Sequence, residues 1–255
     1  MRPSQDCFCP KSPPRITHQQ NATVDEAQFD QYASDYESAL QQGLSVSGES
    51  SDYFAIHRVR WLKRRIASLA PSQRRFSHVL DFGCGTGNSV EHLLSELPAE
   101  HVTGVDTSAQ SLAQARLRYR PEQATFQLSS DLTQDTVMEL AYCNGVFHHI
   151  PVEQRADAVR YIYQRLPSGG WFAFWENNPW NPGTQYVMSR IPFDRDAIKI
   201  SIPQAKQLLS QNGFDIVSVD SCFYFPKLLS WLRPTEPMLA KLPLGAQYMI
   251  LARKS

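Results

Sequence analysis

After Pro71 the chain alternates short apolar runs with stretches whose apolar residues recur at helical spacing. The runs predict strands over 77–82, 101–106, 124–128, 138–144, 170–176, 214–222 and 246–253. Between the first two, Val90, Leu93, Leu94 and Leu97 mark the inner face of a helix over Ser89–Glu96. Further helices are predicted over Val152–Leu166, ending before Pro167-Ser168-Gly169-Gly170, and over Ile202–Asn212, opened by Pro203 and closed by Gly213. Such alternation is the signature of βαβ units, a mostly parallel sheet with both faces covered. Upstream, Phe29, Tyr32, Ala33 and Tyr36 recur at helical spacing, and Gly43–Asp52 reads as a polar loop. Ile56, Val59, Leu62, Ile66 and Leu69 then share one face of a second helix. Residues 1–22, with four prolines and no hydrophobic period, are expected to be a disordered tail. The expectation is a single domain over 23–255, with 23–70 as a helical cap.

The chemistry concentrates where the first strand ends, at Asp81-Phe82-Gly83-Cys84-Gly85-Thr86-Gly87. Glycines at alternate positions let the chain turn with positive φ and bring a ligand against the main chain. The helix that follows offers unpaired N–H groups. The plain alternative is a tight strand-to-helix connection. A second apolar run ends in Asp106, about where dinucleotide-type folds place the carboxylate that grips a ribose diol. Asp106 as a simple helix cap is the other reading, but Thr107 and Ser108 already supply caps. Cys84 reads as a small filler beside the ligand.

The spelling DFGCGTG, followed by VTGVDTS, by Ser129-Ser130-Asp131-Leu132 and by Asn144-Gly145-Val146-Phe147-His148-His149-Ile150-Pro151, resembles the class I S-adenosylmethionine-dependent methyltransferases over roughly residues 25–255. The resemblance implies an α/β three-layer sandwich, a Rossmann-like seven-stranded sheet whose last strand runs antiparallel between strands five and six. It implies S-adenosylmethionine as cofactor, held by Asp81, Gly83, Cys84, Gly85, Asp106, Thr107, Asp131, Leu132 and Asn144. Asp81 is expected to orient the loop, Asp131 to lie near the adenine amino group, and Asn144 to face the methionine part or the acceptor. Residues 226–245 stand where the simplest members use a short hairpin. This insertion, rich in Leu and carrying Trp231, is expected to pack as a substrate lid or a dimer face. Glu139 lies where many relatives begin strand four with an acid.

His148 and His149 are candidates for general base chemistry, since imidazole titrates near neutral pH. Against this, in resembling enzymes the second histidine often packs under the loop, and the pair recurs with different acceptors. Glu176 joins them as a third catalytic candidate. It opens the cluster Glu176-Asn177-Asn178-Pro179-Trp180-Asn181-Pro182, at the carboxyl edge of the sheet where ligands bind in open α/β folds. Asn178, Trp180 and Tyr36 are the expected acceptor contacts. A rigid loop whose Asn side chains bond backbone explains the cluster equally well. Tyr32, Tyr36, Tyr53 and Phe54 either close over the cofactor or pack in the core. The basic run from His57 to Arg65 reads as the solvated face of an amphipathic helix.

Composition narrows the function classes. The chain has 255 residues, 42% of them hydrophobic, enough for a sizeable core. Lys plus Arg equals Asp plus Glu, so no charge footprint for nucleic acid exists. No run of 18 apolar residues suggests a membrane span, and the expected place is the cytoplasm. Five cysteines in a chain of this size make no disulfide framework. Cys7-Phe8-Cys9 lacks a partner pair at zinc spacing, so no metal is expected. The expected reaction is methyl transfer to an O, N or C nucleophile of a small-molecule acceptor, by a monomer or homodimer. An NAD(P)-dependent oxidoreductase would leave the FHHIP segment unexplained, and a non-catalytic adenosylmethionine-binding subunit would need a partner chain.

Overall fold

The computed structural model describes residues 43–73, 75–133, 137–191, 194–195 and 197–255. The expected tail over 1–22 and the acceptor contact Tyr36 lie outside these residues. Seven strands form one sheet: β1 (Phe76–Phe82), β2 (Ala99–Asp106), β3 (Ala124–Leu128), β4 (Leu140–Asn144), β5 (Trp171–Asn177), β6 (Phe214–Cys222) and β7 (Gln247–Lys254). Their order is β3-β2-β1-β4-β5-β7-β6. The first five are parallel, and β7 runs antiparallel to both β5 and β6. The expected three-layer, Rossmann-like sheet with an antiparallel last strand is what the structure shows, each strand within two residues of its predicted ends.

The strand order reverses between β1 and β4, and a crevice opens at the carboxyl ends on either side of such a point. Parallel pairing sets Phe82 beside Val105 and Cys143, so the residues leaving β1, β2 and β4 emerge side by side. β5 is buried along Trp171–Glu176, as a central strand covered on both faces must be. One core layer holds Val59, Leu62, Val90, Leu93 and Leu112; the other holds Phe147, Val159, Ile162, Phe174 and Leu209.

The helices are α1 (Ser51–Leu69), α2 (Val90–Ser95), α3 (Ala109–Arg118), α4 (Arg155–Gln164), α5 (Pro182–Arg190), α6 (Ile202–Gln211) and α7 (Glu236–Leu239). Ser50, Ser108 and Asn181 cap α1, α3 and α5 with side-chain oxygens, and Ser201 with Gln204 makes a capping box on α6. The predicted Val152–Leu166 helix begins as a 3₁₀ turn, Val152–Gln154, before α4.

Two expectations are corrected in α1. Its inner face runs through Ala55, Arg58, Val59, Trp61, Leu62 and Ile66, whereas Leu69 is exposed. Nor is the basic run simply a solvated face. Arg58 is buried, with Nη1 donating to Gln247 Oε1 at 3.0 Å, and Arg65 donates Nε and Nη2 to the Asp220 carboxylate at 2.7 and 2.8 Å. Asp220 is fully buried on β6 and needs this compensation, which Trp61 Nε1 and Lys241 Nζ complete. These bonds clamp α1 across the sheet and set Arg58 beside the crevice.

The insertion before β7 forms a 3₁₀ segment, Lys227–Thr235, and α7. Pro226 and Arg233 of the insertion belong to the wall of a cavity described below, and Ala240 is buried. Leu228, Trp231 and Met238 are exposed in the single chain, and Glu236 anchors the insertion by accepting the backbone N–H of Tyr224 and Phe225. Among the described residues no helix is long and apolar enough to cross a membrane.

Candidate functional site

The glycine loop is built as its spelling requires. Gly83 and Cys84 donate their N–H groups to Val105 O at 2.8 and 3.0 Å, folding the loop back onto the end of β2. Gly83 has φ +72, and a Cβ there would lie 2.3 Å from Val146 Cγ2, so the loop and the post-β4 segment meet only over a glycine. Gly85, φ +52, has open space where a Cβ would stand, leaving bare main chain for a ligand. Asp106 joins the parts: Oδ2 accepts Gly85 N at 2.8 Å and Oδ1 accepts Ser108 N at 2.9 Å. Cys84 is buried, and burial raises its thiol well above the ordinary range, so it carries no thiolate. Thr107 and Asp131 are exposed beyond β2 and β3, with Ser130 Oγ donating to Asp131 at 2.9 Å; Leu132 is core.

Among the described residues, the buried polar atoms without a hydrogen-bond partner include Asp81 Oδ2, Asn144 Oδ1 and Arg58 Nε around this loop. Buried polar groups are nearly always satisfied, so a cluster of leftover atoms calls for a partner such as water, an ion or a ligand. A donor-rich amino group, an acceptor-rich carboxylate and a diol would satisfy this combination of atoms together with Asp106. Residues and cofactor fit. Burial, then the nearby Asp106 charge, pushes the Asp81 carboxyl up to about 7, against a smaller opposing effect of Arg58. An acid raised in the fold loses stability as pH climbs from its unfolded value toward its folded one. Relative to the wild type, Asp81→Asn is therefore expected to gain thermal stability between about pH 4 and 7 and keep the gain at pH 8. Melting curves of the two ligand-free proteins across that range check this, and a wild type that gains on the variant as pH rises would contradict it.

Beside these atoms lies a cavity of about 370 Å³. Arg58, Asn144 and Gly145 belong to its wall, so cofactor loop and cavity share a boundary. Aromatic rings cover one side: Phe54 and Phe223 meet edge to face with centroids 5.0 Å apart, and Tyr53 packs against Phe54 at 5.4 Å. Phe223 takes φ +63, a costly conformation for an aromatic residue and one that collects at ligand sites. Leu44, Val46, Tyr224 and Pro226 close that side, and Arg233 there pairs with Glu49 at 2.9 Å.

Another corner is polar, with His148, His149 and Asp194 in the wall. His148 is buried with Nδ1 2.7 Å from Glu176 Oε2 and Nε2 3.4 Å from Asp194 Oδ1. His149 Nε2 lies 3.2 Å from the same Asp194 oxygen and is more exposed. Burial works against an imidazolium at His148, but the Glu176 charge and the bonds to Asp194 and Glu176 outweigh it and hold its pKa up at about 10. His148 is thus charged at neutral pH and is no proton acceptor. Burial would raise Asp194, but hydrogen bonds from both histidines and their charges draw it down to about 2.

The structure does not bring all the expected acceptor contacts here. Asn178 is fully buried, donates Nδ2 to Pro243 O and Gly245 O, and accepts Trp180 N, so its bonds are backbone bonds. Trp180 stands half in solvent outside the cavity wall. Glu176, expected to be catalytic, is buried behind the wall, where it accepts Phe147 N at 2.7 Å and orients His148. It is the first histidine that packs under the loop, because Glu176 draws it in. Sequence reasoning missed Arg58 and Asp194. Arg58 hid in a basic run, and Asp194 sits in an irregular stretch without a period.

Residues 80–172 match the family model described as a methyltransferase domain. A trans-aconitate 2-methyltransferase of Variovorax paradoxus is 36% identical over 97 residues, 37% of this chain and 36% of its own. The enzyme of that name from Paracidovorax citrulli is 57% identical over 42 residues, 16% of each chain. The chain thus spans about a third or less of the length of these curated relatives. Among solved structures, magnesium protoporphyrin IX methyltransferase from Synechocystis PCC 6803, with bound S-adenosylhomocysteine, superposes with TM-score 0.62 at 16% identity, over 92% of this chain and 100% of that one. An S-adenosylmethionine-dependent methyltransferase from Mesorhizobium loti gives 0.54 at 20% identity, over 77% and 98%.

Proposed function

We propose that this chain, which carries a methyltransferase domain on the class I S-adenosylmethionine-dependent fold, transfers a methyl group from S-adenosylmethionine to an O, N or C nucleophile of a small-molecule acceptor. The observation that carries the reading is the shared boundary: Arg58 and Asn144 present unpartnered polar atoms beside the glycine loop and also line the neighbouring cavity. The cofactor supplies a methyl group already activated on its sulfonium, so the protein's work is alignment and exclusion of water. Asp106 takes the ribose diol, Gly83 and Gly85 lay main chain against the ligand, and Asp81, Asn144 and Arg58 take its charged amino-acid end. Thr107, Asp131 and Leu132 border the adenine side, with Cys84 as filler.

The acceptor lies between the aromatic wall and the polar corner. His149 touches it; His148 and Glu176 position His149 and the loop that carries it. Arg233 is already neutralised by Glu49, which leaves a cavity suited to an apolar body with one polar end rather than to several carboxylates. Calorimetric titration with S-adenosylmethionine, S-adenosylhomocysteine and NAD tests the reading. Micromolar binding of both adenosyl compounds and none of NAD is expected, whereas binding of NAD alone would sink it. An acceptor panel, with trans-aconitate beside hydroxy compounds of apolar body, then reads S-adenosylhomocysteine release.

A further inference from the structure

We propose that His148, His149 and Asp194 form a binding site for a divalent first-row cation at the polar corner of the acceptor cavity. Each offers one ligand atom, and the three atoms lie within 4.8 Å of one another. Asp194 Oδ1 is 3.4 Å from His148 Nε2 and 3.2 Å from His149 Nε2. In a tetrahedral site with metal–ligand bonds of about 2.0–2.1 Å, neighbouring ligand atoms stand about 3.3 Å apart. The two carboxylate–histidine spacings match that value, and the histidine–histidine separation lies within 4.8 Å. The second shell fits as well: a ligating histidine characteristically gives its other ring N–H to a carboxylate, and His148 Nδ1 faces Glu176 Oε2 at 2.7 Å. Glu176 is itself fixed by the backbone N–H of Phe147.

Charge points the same way. Glu176 and Asp194 are both buried, and among the described residues their ion pairs are made only with these histidines. In the metal-free protein the imidazolium of His148 faces these carboxylates; a dication held between neutral imidazoles would displace that proton and take its place opposite the same two acids. Two histidines and one carboxylate leave coordination positions open, as catalytic rather than structural sites do. Here they open toward the cavity, where an oxygen of the acceptor would complete the shell. The expectation of no metal came from sequence spacing, which cannot join ligands 46 residues apart. In its role, though not in metal binding itself, the site rests on the cavity being the acceptor pocket.

The test uses the untagged full chain, reduced and stripped with chelator, titrated with Co²⁺ while visible absorption is recorded, and with Zn²⁺ by calorimetry. One equivalent is expected, with ligand-field bands and no thiolate charge-transfer band, which separates this corner from Cys7 and Cys9. Asp194→Asn and His149→Gln should each weaken binding at least tenfold, while thermal transitions remain cooperative. Should Asp194→Asn fail to fold, His149→Gln, whose side chain is more exposed, carries the comparison. Absence of ligand-field bands, or affinity unchanged in the folded variants, would overturn the site. S-adenosylhomocysteine titration of the same samples keeps the two readings apart: loss of metal with intact adenosyl binding removes only the cation site, and the reverse removes only the methyltransferase reading.

Discussion

Asp106→Ala is expected to weaken S-adenosylhomocysteine binding about 100-fold, which corresponds to about 3 kcal/mol, while leaving the protein folded. The carboxylate has two duties. It holds the glycine loop by accepting Gly85 N at 2.8 Å, and it fixes the turn into α3 by accepting Ser108 N at 2.9 Å. It stands at the end of β2 beside the crevice, where a diol can donate both hydroxyl protons to one carboxylate. Hydrogen bonds to charged groups contribute about 1.5–3 kcal/mol each, so losing the diol contacts and relaxing the loop together reaches the stated figure. Asp106→Asn keeps the shape but surrenders charge and one acceptor, and about a tenfold loss is expected for it. Ser108 still caps α3 through its own hydroxyl, which accepts Ser111 N at 3.1 Å, so the melting transition should stay cooperative. Calorimetry on both variants decides; a loss of less than threefold in Asp106→Ala would remove Asp106 from the cofactor site.

The legible parts of the fold and site share a property: their physical cause is local. The DFGCGTG turn needs glycine where φ is positive, and the sheet strands need unbroken apolar runs because both faces are covered. The class I fold follows from such signals, and the structure agrees with it to the antiparallel β7. Residues whose role depends on distant partners were not legible. Arg58 reads as one more cation in a basic helix until β7 places Gln247 against it. Asp220 lies unremarked within the predicted strand 214–222 until α1 wraps it with Arg65 and Trp61. Asn178 shows the opposite case, a polar residue beside the crevice that the loop over Pro243–Gly245 absorbs entirely. In the insertion, composition alone does not say which apolar residues meet a partner surface: Pro226 lines the cavity, whereas Leu228 and Trp231 are exposed in the single chain.

Glu176→Ala should be the most destabilising single change in the crevice, about 3–5 kcal/mol, because it leaves the His148 imidazolium buried without its nearest counter-charge and orphans Phe147 N. For a chain of this size that corresponds to a fall in Tm of about 10 °C. The pH dependence gives the mechanism its own signature. His148 is raised in the fold, so its contribution is complete below the unfolded value near 6.5 and is lost as pH rises through about 10. Asp194 is depressed, so its contribution is present above its unfolded value and is lost as pH falls through about 2. The chelator-treated wild type should therefore lose stability steadily on the alkaline side. Glu176→Gln removes the leading charge that holds the imidazolium, and the alkaline slope should flatten relative to the wild type even though the glutamine side chain keeps an acceptor for Phe147 N. Thermal melts from pH 6 to 10 on the two proteins read this directly. Parallel slopes would mean that His148 draws its charge from Asp194 alone, and that Glu176 serves the post-β4 loop only through its bond to Phe147.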